Sequence, residues 1–223
     1  MLQLQWTRAG QMILAMLLMA AAVVQAAEGP RALIAERVDT LTERIENNRQ
    51  KLEKNKQFAR EMVREQIGEL VDFKRITRLV MAEHFSDASR EQKYRFLETF
   101  RESLINTYAS GVTMYEGQTI RVLPAEEGDV KEDSATVRME IRTREGEVIP
   151  IRYSLFRNSE DEWKVQNVIV NGLNLGKTFR SQFDQAVRKH EGDIDKVIDT
   201  WSTELDVEGD TDDEGVLKAA EES

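Results

Sequence analysis

Cysteine is absent from this chain of 223 residues, and histidine occurs only twice. The lack of cysteine excludes disulfides, thiolate metal sites and cysteine nucleophiles. The two histidines, His84 and His190, do not have the H-x-x-x-H spacing that is typical of a zinc site. The sequence therefore predicts no metal site.

Basic residues are fewer than acidic ones, 31 against 41, and the net charge is −10. The imbalance is concentrated in residues 206–223, where eight acids and one lysine give −7. We expect this acidic tail to be disordered, because it has few apolar residues. Nucleic-acid binding is not expected, since phosphate contacts need basic patches, and charge alone would not attach the chain to an anionic membrane.

Only one long apolar run is present, at residues 12–24. It is shorter than the roughly 20 residues that span a bilayer. It fits the central region of a secretory signal peptide, and Val24-Gln25-Ala26 supplies the small residues that a signal peptidase requires. We therefore predict a signal peptide at 1–26, cleaved near Ala26, and export to a bacterial periplasm. The domain expected at 27–205 is long enough to form a core without disulfides.

Residues 30–115 have apolar side chains at helical spacing, which predicts a helical part of the domain. We expect two helices before residue 74, separated at Asn47-Asn48. Asp72 is expected to cap a third helix. Ser89 and Gln92 predict a capping box at the start of the longest helix, about 90–115.

After Glu116-Gly117, the spacing of apolar residues changes from the helical period of 3.6 to the strand period of 2, which predicts a sheet over residues 118–170. Four alternating segments joined by short polar turns indicate an antiparallel meander that is apolar on one face. The positions predicted for this face are Ile120, Val122, Ala135, Val137, Met139, Ile141, Ile149, Ile151, Tyr153, Leu155, Trp163, Val165, Asn167 and Ile169.

A strand, a tight turn and a helix follow one another near Asn171-Gly172. Asn174 is expected to cap the helix, and Asp193 to cap a last short one. These C-terminal helices, at 174–205, should fold back over the sheet to bury both apolar faces. The predicted fold class is α+β, with a curved four-stranded antiparallel sheet packed against a helical layer.

No recognised catalytic motif is present. There is no G-x-S-x-G elbow. Residues 171–178 superficially resemble a phosphate-binding loop, but only three residues separate Gly172 from Gly176, and the G-x-x-x-x-G-K-[ST] motif requires four. An export signal without a catalytic set favours a binding or carrier protein. The apolar interior is then the candidate site, although any single apolar residue could equally be ordinary core.

Residues 163–175, followed by Phe179-Arg180-Ser181-Gln182-Phe183, resemble the MlaC family of periplasmic phospholipid-binding proteins, also called toluene-tolerance proteins. The resemblance includes residues 92–100, 108–118 and Ile151-Arg152-Tyr153, and it covers about 31–205. Two departures are visible. Asn167 stands where the family commonly has Asp, which could alter a local capping bond, and the acidic tail is not part of the family pattern.

The resemblance implies an NTF2-like sheet and a deep apolar cavity that holds the acyl tails of a phospholipid. It implies a shuttle between an outer-membrane lipoprotein complex and an inner-membrane ABC transporter with an MCE-domain ring, in a system that maintains outer-membrane lipid asymmetry. It implies no enzyme activity, and we expect a monomer without cofactors. On the predicted inner faces, the residues expected to contact lipid are Val80, Phe100, Leu104, Tyr108, Val112, Met139, Ile151, Tyr153, Val165, Val170, Leu173, Phe179 and Phe183.

Two alternatives belong to other functional classes. NTF2-like sheets can also hold a small-molecule hydrolase site with Asp/His or Tyr/Asp pairs, and Tyr108 and Tyr153 are the candidates here. A non-catalytic adaptor would instead have a filled core, without a ligand cavity of roughly 300–1,000 Å³.

Overall fold

The computed structural model describes residues 29–203, so the predicted signal peptide at 1–26 and the acidic tail at 206–223 lie outside the described residues. The helices are α1 (Pro30–Asn47), α2 (Arg49–Lys54), α3 (Lys56–Leu70), α4 (Phe73–Met81), α5 (His84–Asp87), α6 (Arg90–Thr113), α7 (Leu175–Lys189) and α8 (Ile194–Asp199). Within 29–203, none of these helices has the length and apolar character to cross a bilayer.

Side-chain caps fix most helix starts, as the sequence predicts. Asp72 accepts a hydrogen bond from the Arg75 N–H, and Ser89 with Gln92 forms a complete capping box. Asn174 and Asp193 cap α7 and α8 in the same way. These four predicted caps are confirmed.

The N-terminal helical part differs from the prediction of two helices before residue 74. A second break occurs at Asn55, whose side chain accepts a hydrogen bond from the Phe58 N–H and so starts α3. The apolar pattern of the third helix runs on to Phe85, but the helix ends at Met81, because Ala82 adopts a positive φ of 48° that no right-handed helix accommodates. Both breaks depend on local backbone conformations that apolar periodicity does not reveal.

The sheet contains β1 (Thr119–Val122), β2 (Ser134–Arg142), β3 (Val148–Arg157), β4 (Trp163–Val170) and β5 (Leu173–Asn174), in sequential antiparallel order. The α+β class is confirmed. The sheet has five strands instead of four, because Asn171 and Gly172 have positive φ and reverse the chain, so that β5 pairs with the end of β4.

A bulge between β3 and β4 corrects the predicted face of β4. Leu155 pairs with Val165, whereas Tyr153 pairs with Val168 and Ile151 with Val170. One extra residue on β4 therefore inverts, after Val165, the order in which its side chains alternate between the two faces of the sheet. Val168 and Val170 share the face of Val165, and the prediction that Asn167 and Ile169 would do so is wrong.

Helix α1 crosses the sheet at its β1 and β2 side. The Arg31 side chain donates hydrogen bonds to the backbone oxygens of Val122 and Leu123, at 3.2 and 2.8 Å. Ile34 packs with the buried sheet residues Val137 and Leu155. Two further apolar clusters lie among the helices, one between α3 and α6 and one between α4, α6, α7 and α8. The interior is thus divided into three packed regions.

An ion-pair cluster connects α3 to α6. Glu102 on α6 lies 3.0 Å from the Arg60 guanidinium and 2.8 Å from that of Arg64. Burial alone would raise the pKa of Glu102, but the hydrogen bonds and charges of Arg64 and Arg60 outweigh it and hold the pKa below its ordinary value of 4.5. A carboxylate with a lowered folded-state pKa stabilises the fold above its unfolded-state pKa, and that stability is lost as the pH falls.

Glu102→Gln should therefore flatten the acid dependence of stability. We expect the wild-type melting temperature to fall more steeply below about pH 4.5 than that of the variant, because only the wild type has this carboxylate to protonate. Thermal melts between pH 7 and pH 3 measure this. Glu43→Gln is the matched control, since Glu43 is exposed on α1. Parallel melting curves for the wild type and Glu102→Gln would contradict the assignment.

Candidate functional site

An apolar cavity of about 210 Å³ lies between the helical layer and the sheet. It is lined by segments of α1, α3, α4, α6, α7, β3 and β4, and most lining side chains are aliphatic or aromatic. The lining residues are Ile34, Arg37, Val38, Leu41, Gln66, Ile67, Leu70, Val71, Phe73, Ile76, Phe100, Leu104, Tyr108, Tyr153, Val165, Gln166, Asn167, Val168, Leu175, Gly176 and Phe179.

Six of the thirteen residues predicted to contact lipid line this cavity. They come from α6, β3, β4 and α7, and they are Phe100, Leu104, Tyr108, Tyr153, Val165 and Phe179. Tyr108 is 43 % exposed, and Phe100 and Phe179 stack edge to face with ring centroids 5.5 Å apart.

The other seven predicted residues lie elsewhere. Met139, Ile151, Val170 and Leu173 form one row across the sheet, two residues along from the row of Tyr153, and Leu173 at its end is 45 % exposed. Val80 and Phe183 are buried in the core of α4, α6, α7 and α8, and Val112 is buried in the core between α3 and α6.

Helices α1, α3 and α4 contribute lining residues that sequence reasoning did not single out. Ile34, Val38 and Leu41 recur at spacings of four and three on α1, so their shared face is visible in the sequence. Phe73 and Ile76, which are three positions apart on α4, likewise share one face of their helix. Periodicity shows that such a face is buried, but it does not show that the face meets a cavity.

A few polar groups interrupt the apolar lining. Gln66 is only 9 % exposed, and its Oε1 has no hydrogen-bond partner. Arg37 forms an ion pair of 2.8 Å with Glu69, while its buried Nε is unpaired. Arg37 also lines a second surface cavity with Glu69 and Trp163, so it stands between the apolar cavity and the protein surface.

The two tyrosines of the cavity are poor candidates for catalysis. Tyr108 is 43 % exposed as a residue, but desolvation of its phenol still raises its pKa. Desolvation raises the pKa of Tyr153 as well, and the neighbouring Tyr108 raises it further. Both phenols therefore stay protonated at neutral pH. The described lining residues include no Asp, Glu or His that could act as their acid or base partner. This arrangement favours apolar binding over acid–base chemistry.

The start of α7 is joined to β4 by the side chain of Asn167. Its Oδ1 accepts a hydrogen bond of 2.9 Å from the Gly176 N–H, and its Nδ2 donates one of 3.0 Å to Asn174 Oδ1. An aspartate at this position could accept the first bond but could not donate the second. The approach is close, because a Cβ on Gly176 would lie 2.6 Å from Asn167 Oδ1.

Gly176→Ala should therefore destabilise the protein by about 1–3 kcal/mol, because the new methyl group displaces the Asn167 side chain and breaks its hydrogen bonds. Denaturant unfolding measures this. In the double variant with Asn167→Ala, the two costs should be less than additive, since both changes disrupt the same contact.

Gly111→Ala is the matched control. Gly111 lies within α6, and a Cβ there would meet nothing within 4 Å. No close approach occurs at this glycine, so alanine should stabilise the helix by about 0.4–1 kcal/mol. Equal effects of the two alanine substitutions would show that the contact with Asn167 is not what requires Gly176.

One group of possible metal ligands lies outside the cavity in the described part of the chain. The ligand atoms of Glu83, His84 and Asp184 are within 4.8 Å of one another. Asp184 already pairs with His84, at 3.0 Å, and with Arg188. These bonds and charges lower the pKa of Asp184, so the group is accounted for as an ion-pair cluster that joins α5 to α7.

Comparisons of the sequence with known proteins all lead to MlaC-type proteins. The profile of the MlaC family, described as MlaC protein, matches residues 35–203. The chain is 35 % identical over 181 residues to toluene tolerance protein Ttg2D of Pseudomonas putida, an alignment that covers 81 % of this chain and 83 % of that protein. It is 26 % identical over 180 residues to the intermembrane phospholipid transport system binding protein MlaC of Haemophilus influenzae, covering 79 % and 80 %.

A solved structure is similar over most of its length. The phospholipid-binding protein from Ralstonia solanacearum, determined in complex with a phospholipid, superposes with a TM-score of 0.67 at 26 % sequence identity. The match covers 76 % of this chain and 92 % of the solved one. The similarity therefore includes the helical layer and the sheet that together enclose the cavity.

Proposed function

The chain belongs to the MlaC family, and from this premise we propose that it is a phospholipid carrier that encloses acyl tails in the cavity between its sheet and its helical layer. The observation that carries the proposal is the cavity lining. Aliphatic and aromatic side chains from seven elements converge on one space, and the polar side chains Arg37, Gln66, Gln166 and Asn167 are a minority of the lining. The relatives named for phospholipid binding and transport support the same ligand class.

A carrier for such lipids meets a physical need. A phospholipid with two tails has on the order of 30 methylenes, and each gains about 0.8 kcal/mol by leaving water. Passage of a free lipid through an aqueous compartment is therefore very slow. A protein that covers the tails removes most of this barrier, while the polar head group can stay hydrated at the surface.

Loading requires the cavity to widen. Its volume of about 210 Å³ is below the roughly 300–1,000 Å³ of ordinary ligand pockets, and two acyl tails need more than a small ligand does. Expansion along the sheet reaches the row of Met139, Ile151 and Val170, which adjoins that of Tyr153. We therefore keep these sheet residues as proposed lipid contacts, together with the six that line the cavity.

The predicted signal peptide and the family support a proposal about the wider setting. We propose that the protein works as a monomer in the periplasm and is not an enzyme. It would carry lipid between two membrane complexes. One contains an outer-membrane lipoprotein, and the other contains an inner-membrane ABC transporter and its MCE-domain ring. Such a route would maintain the lipid asymmetry of the outer membrane.

Mass spectrometry of solvent extracts from the purified protein tests lipid carriage. We expect phospholipids to co-purify in a fixed molar ratio, and the delipidated protein to take up phospholipid from liposomes. Extracts without phospholipid, together with no uptake from liposomes, would refute the proposal. Hydrolytic activity that is lost in both Tyr108→Phe and Tyr153→Phe would instead favour the hydrolase alternative.

A further inference from the structure

A basic groove runs between α4 and α6, outside the apolar cavity. It has a volume of about 550 Å³ and is lined by Asp72, Lys74, Arg75, Thr77, Arg78, Phe85, Arg90, Lys93, Tyr94 and Leu97. Five of these ten residues are cationic and only Asp72 is acidic. The Asp72 carboxylate is already engaged, because it caps α4. In a chain with a net charge of −10, this is a pronounced local excess of positive charge.

The five cations of the groove lack carboxylate partners among residues 29–203. Arg78 and Lys93 both lie over the Phe85 ring, 5.0 and 4.6 Å from its centroid. Arg75 stacks at 4.0 Å on Phe156. Several other helical arginines do have carboxylate partners, as Arg95 has with Asp195 and Asp199 of α8. Unpaired like charges held in one groove create a positive potential that attracts an anionic group.

The sequence itself supplies an anionic segment of matching charge. Residues 206–223 carry eight carboxylates and one lysine, and Asp210, Asp212, Asp213 and Glu214 fall within five consecutive positions. The segment has a net charge of −7 against the five cations of the groove. Its charge is therefore sufficient to neutralise the groove.

The end of the described chain lies within reach of the groove. Thr203 is held on α6 by hydrogen bonds of 2.9 Å with Ser103 and 3.0 Å with Thr107. Tyr94 and Leu97 of the groove are on the same helix, about 10–20 Å away along its axis at 1.5 Å per residue. An extended chain covers that distance in roughly three to six residues at about 3.3 Å each. The groove residues of α6 also project about a third of a turn away from Ser103 and Thr107, at 100° per residue, so the chain must pass round the helix as well. The acids from Asp210 onward have the chain length to enter the groove.

Helix α6 already binds acids from the C-terminal part of the chain. Arg95 forms ion pairs with both Asp195 and Asp199 of α8. At 100° per residue, Arg95 lies on the opposite side of α6 from Arg90, Lys93 and Leu97, so α8 and the groove flank this helix on two sides. Covalent attachment also gives the segment an effective concentration near the groove in the millimolar range.

We propose that the basic groove between α4 and α6 is an acidic-peptide binding surface whose occupant in this protein is its own segment 206–223. The contact consists of partly exposed ion pairs, so it is reversible and sensitive to salt. While bound, the segment covers the groove and competes with any other acidic peptide for it.

A spin label on the acidic segment tests this in the full chain. Because the protein has no cysteine, Thr211→Cys provides a single labelling site between two aspartates. The label should broaden the amide NMR signals of Arg78, Phe85 and Arg90. The signals of Lys131 and Arg142, at the β1 and β2 side of the sheet, should remain sharp. Raising the salt to 1 M, where the Debye length is about 3 Å, should abolish the broadening.

Charge reversal separates the groove from nonspecific attraction. Lys74→Glu with Arg90→Glu changes two exposed groove residues and should remove the broadening. The matched control, Lys131→Glu with Arg142→Glu, makes the same change in net charge outside the groove and should leave it intact. Broadening that survives salt, spreads evenly over the surface, or persists in the groove variant overturns the proposal. The absence of broadening also overturns the proposal. This includes the case in which the protein instead sediments with phosphatidylglycerol vesicles through the groove.

Discussion

Leu104→Trp is expected to abolish phospholipid retention while it leaves the fold intact. Leu104 is half-buried on α6 and lines the cavity, so the added indole volume occupies space that a lipid tail would need. Because the ring enters a cavity and not a packed core, the free energy of unfolding of the delipidated protein should change by less than the roughly 1–3 kcal/mol of overpacking. Lipid content by mass spectrometry and denaturant unfolding measure the two effects separately.

Two controls make this result specific. Leu79 lies on α4 and is 49 % exposed, and Leu79→Trp should retain lipid at the wild-type ratio. Val165 also lines the cavity, but it is only 3 % exposed and packs against Ala135 and Leu155, so Val165→Trp should destabilise the protein by about 1–3 kcal/mol in addition to any loss of lipid. Full lipid occupancy in Leu104→Trp would show that the acyl tails do not use this cavity.

Phe183→Ala is expected to give the largest loss of stability. Phe183 is fully buried, with its ring centroid 4.7 Å from that of Phe96 and 5.8 Å from that of Trp201. Removing a buried phenylalanine ring costs about 3–5 kcal/mol. For a domain of this size, each kcal/mol lowers the melting temperature by roughly 2–4 °C, so a fall on the order of 6–20 °C should appear in thermal melts.

Phe179→Ala is the matched comparison one turn earlier on the same helix. Its ring packs on Phe100 but also borders the cavity, so fewer packed atoms lose a neighbour. We expect a smaller loss of stability together with altered lipid content. If both variants lose equal stability and neither changes lipid content, the distinction between core at Phe183 and cavity wall at Phe179 is wrong.

Local signals in the sequence predicted the elements of this fold well. The caps at Asp72, Ser89, Asn174 and Asp193 are short-range hydrogen bonds between residues three positions apart, so the residue types alone reveal them. The alternation of the first three strands is equally local. The extra residue between Val165 and Val168 is not, because a bulge depends on how two strands pair.

The cavity was harder to predict than the elements around it. Periodicity identifies the buried face of a helix, but Phe179 and Phe183 lie on the same face of α7, and one borders the cavity while the other is packed core. Phe183 is covered by Phe96 and Trp201, whereas the space beside Phe179 is bordered by Ile34 of α1. The shape of the cavity therefore depends on the position of α1 over the sheet. That position is set by contacts such as Ile34 with Val137, which are more than 100 residues apart in sequence.

The position of α1 also sets an order of folding. The sheet is built from sequential hairpins, whose contacts are short in sequence and are expected to form early, whereas the contacts of Ile34 with Leu155 and Val165 join residues more than 100 positions apart. Until β3 and β4 are in place, the apolar face of α1 lacks its native partner. In pulse-labelled hydrogen exchange during refolding, amides of β2 and β3 should accordingly gain protection before those of α1, and simultaneous protection would contradict this order.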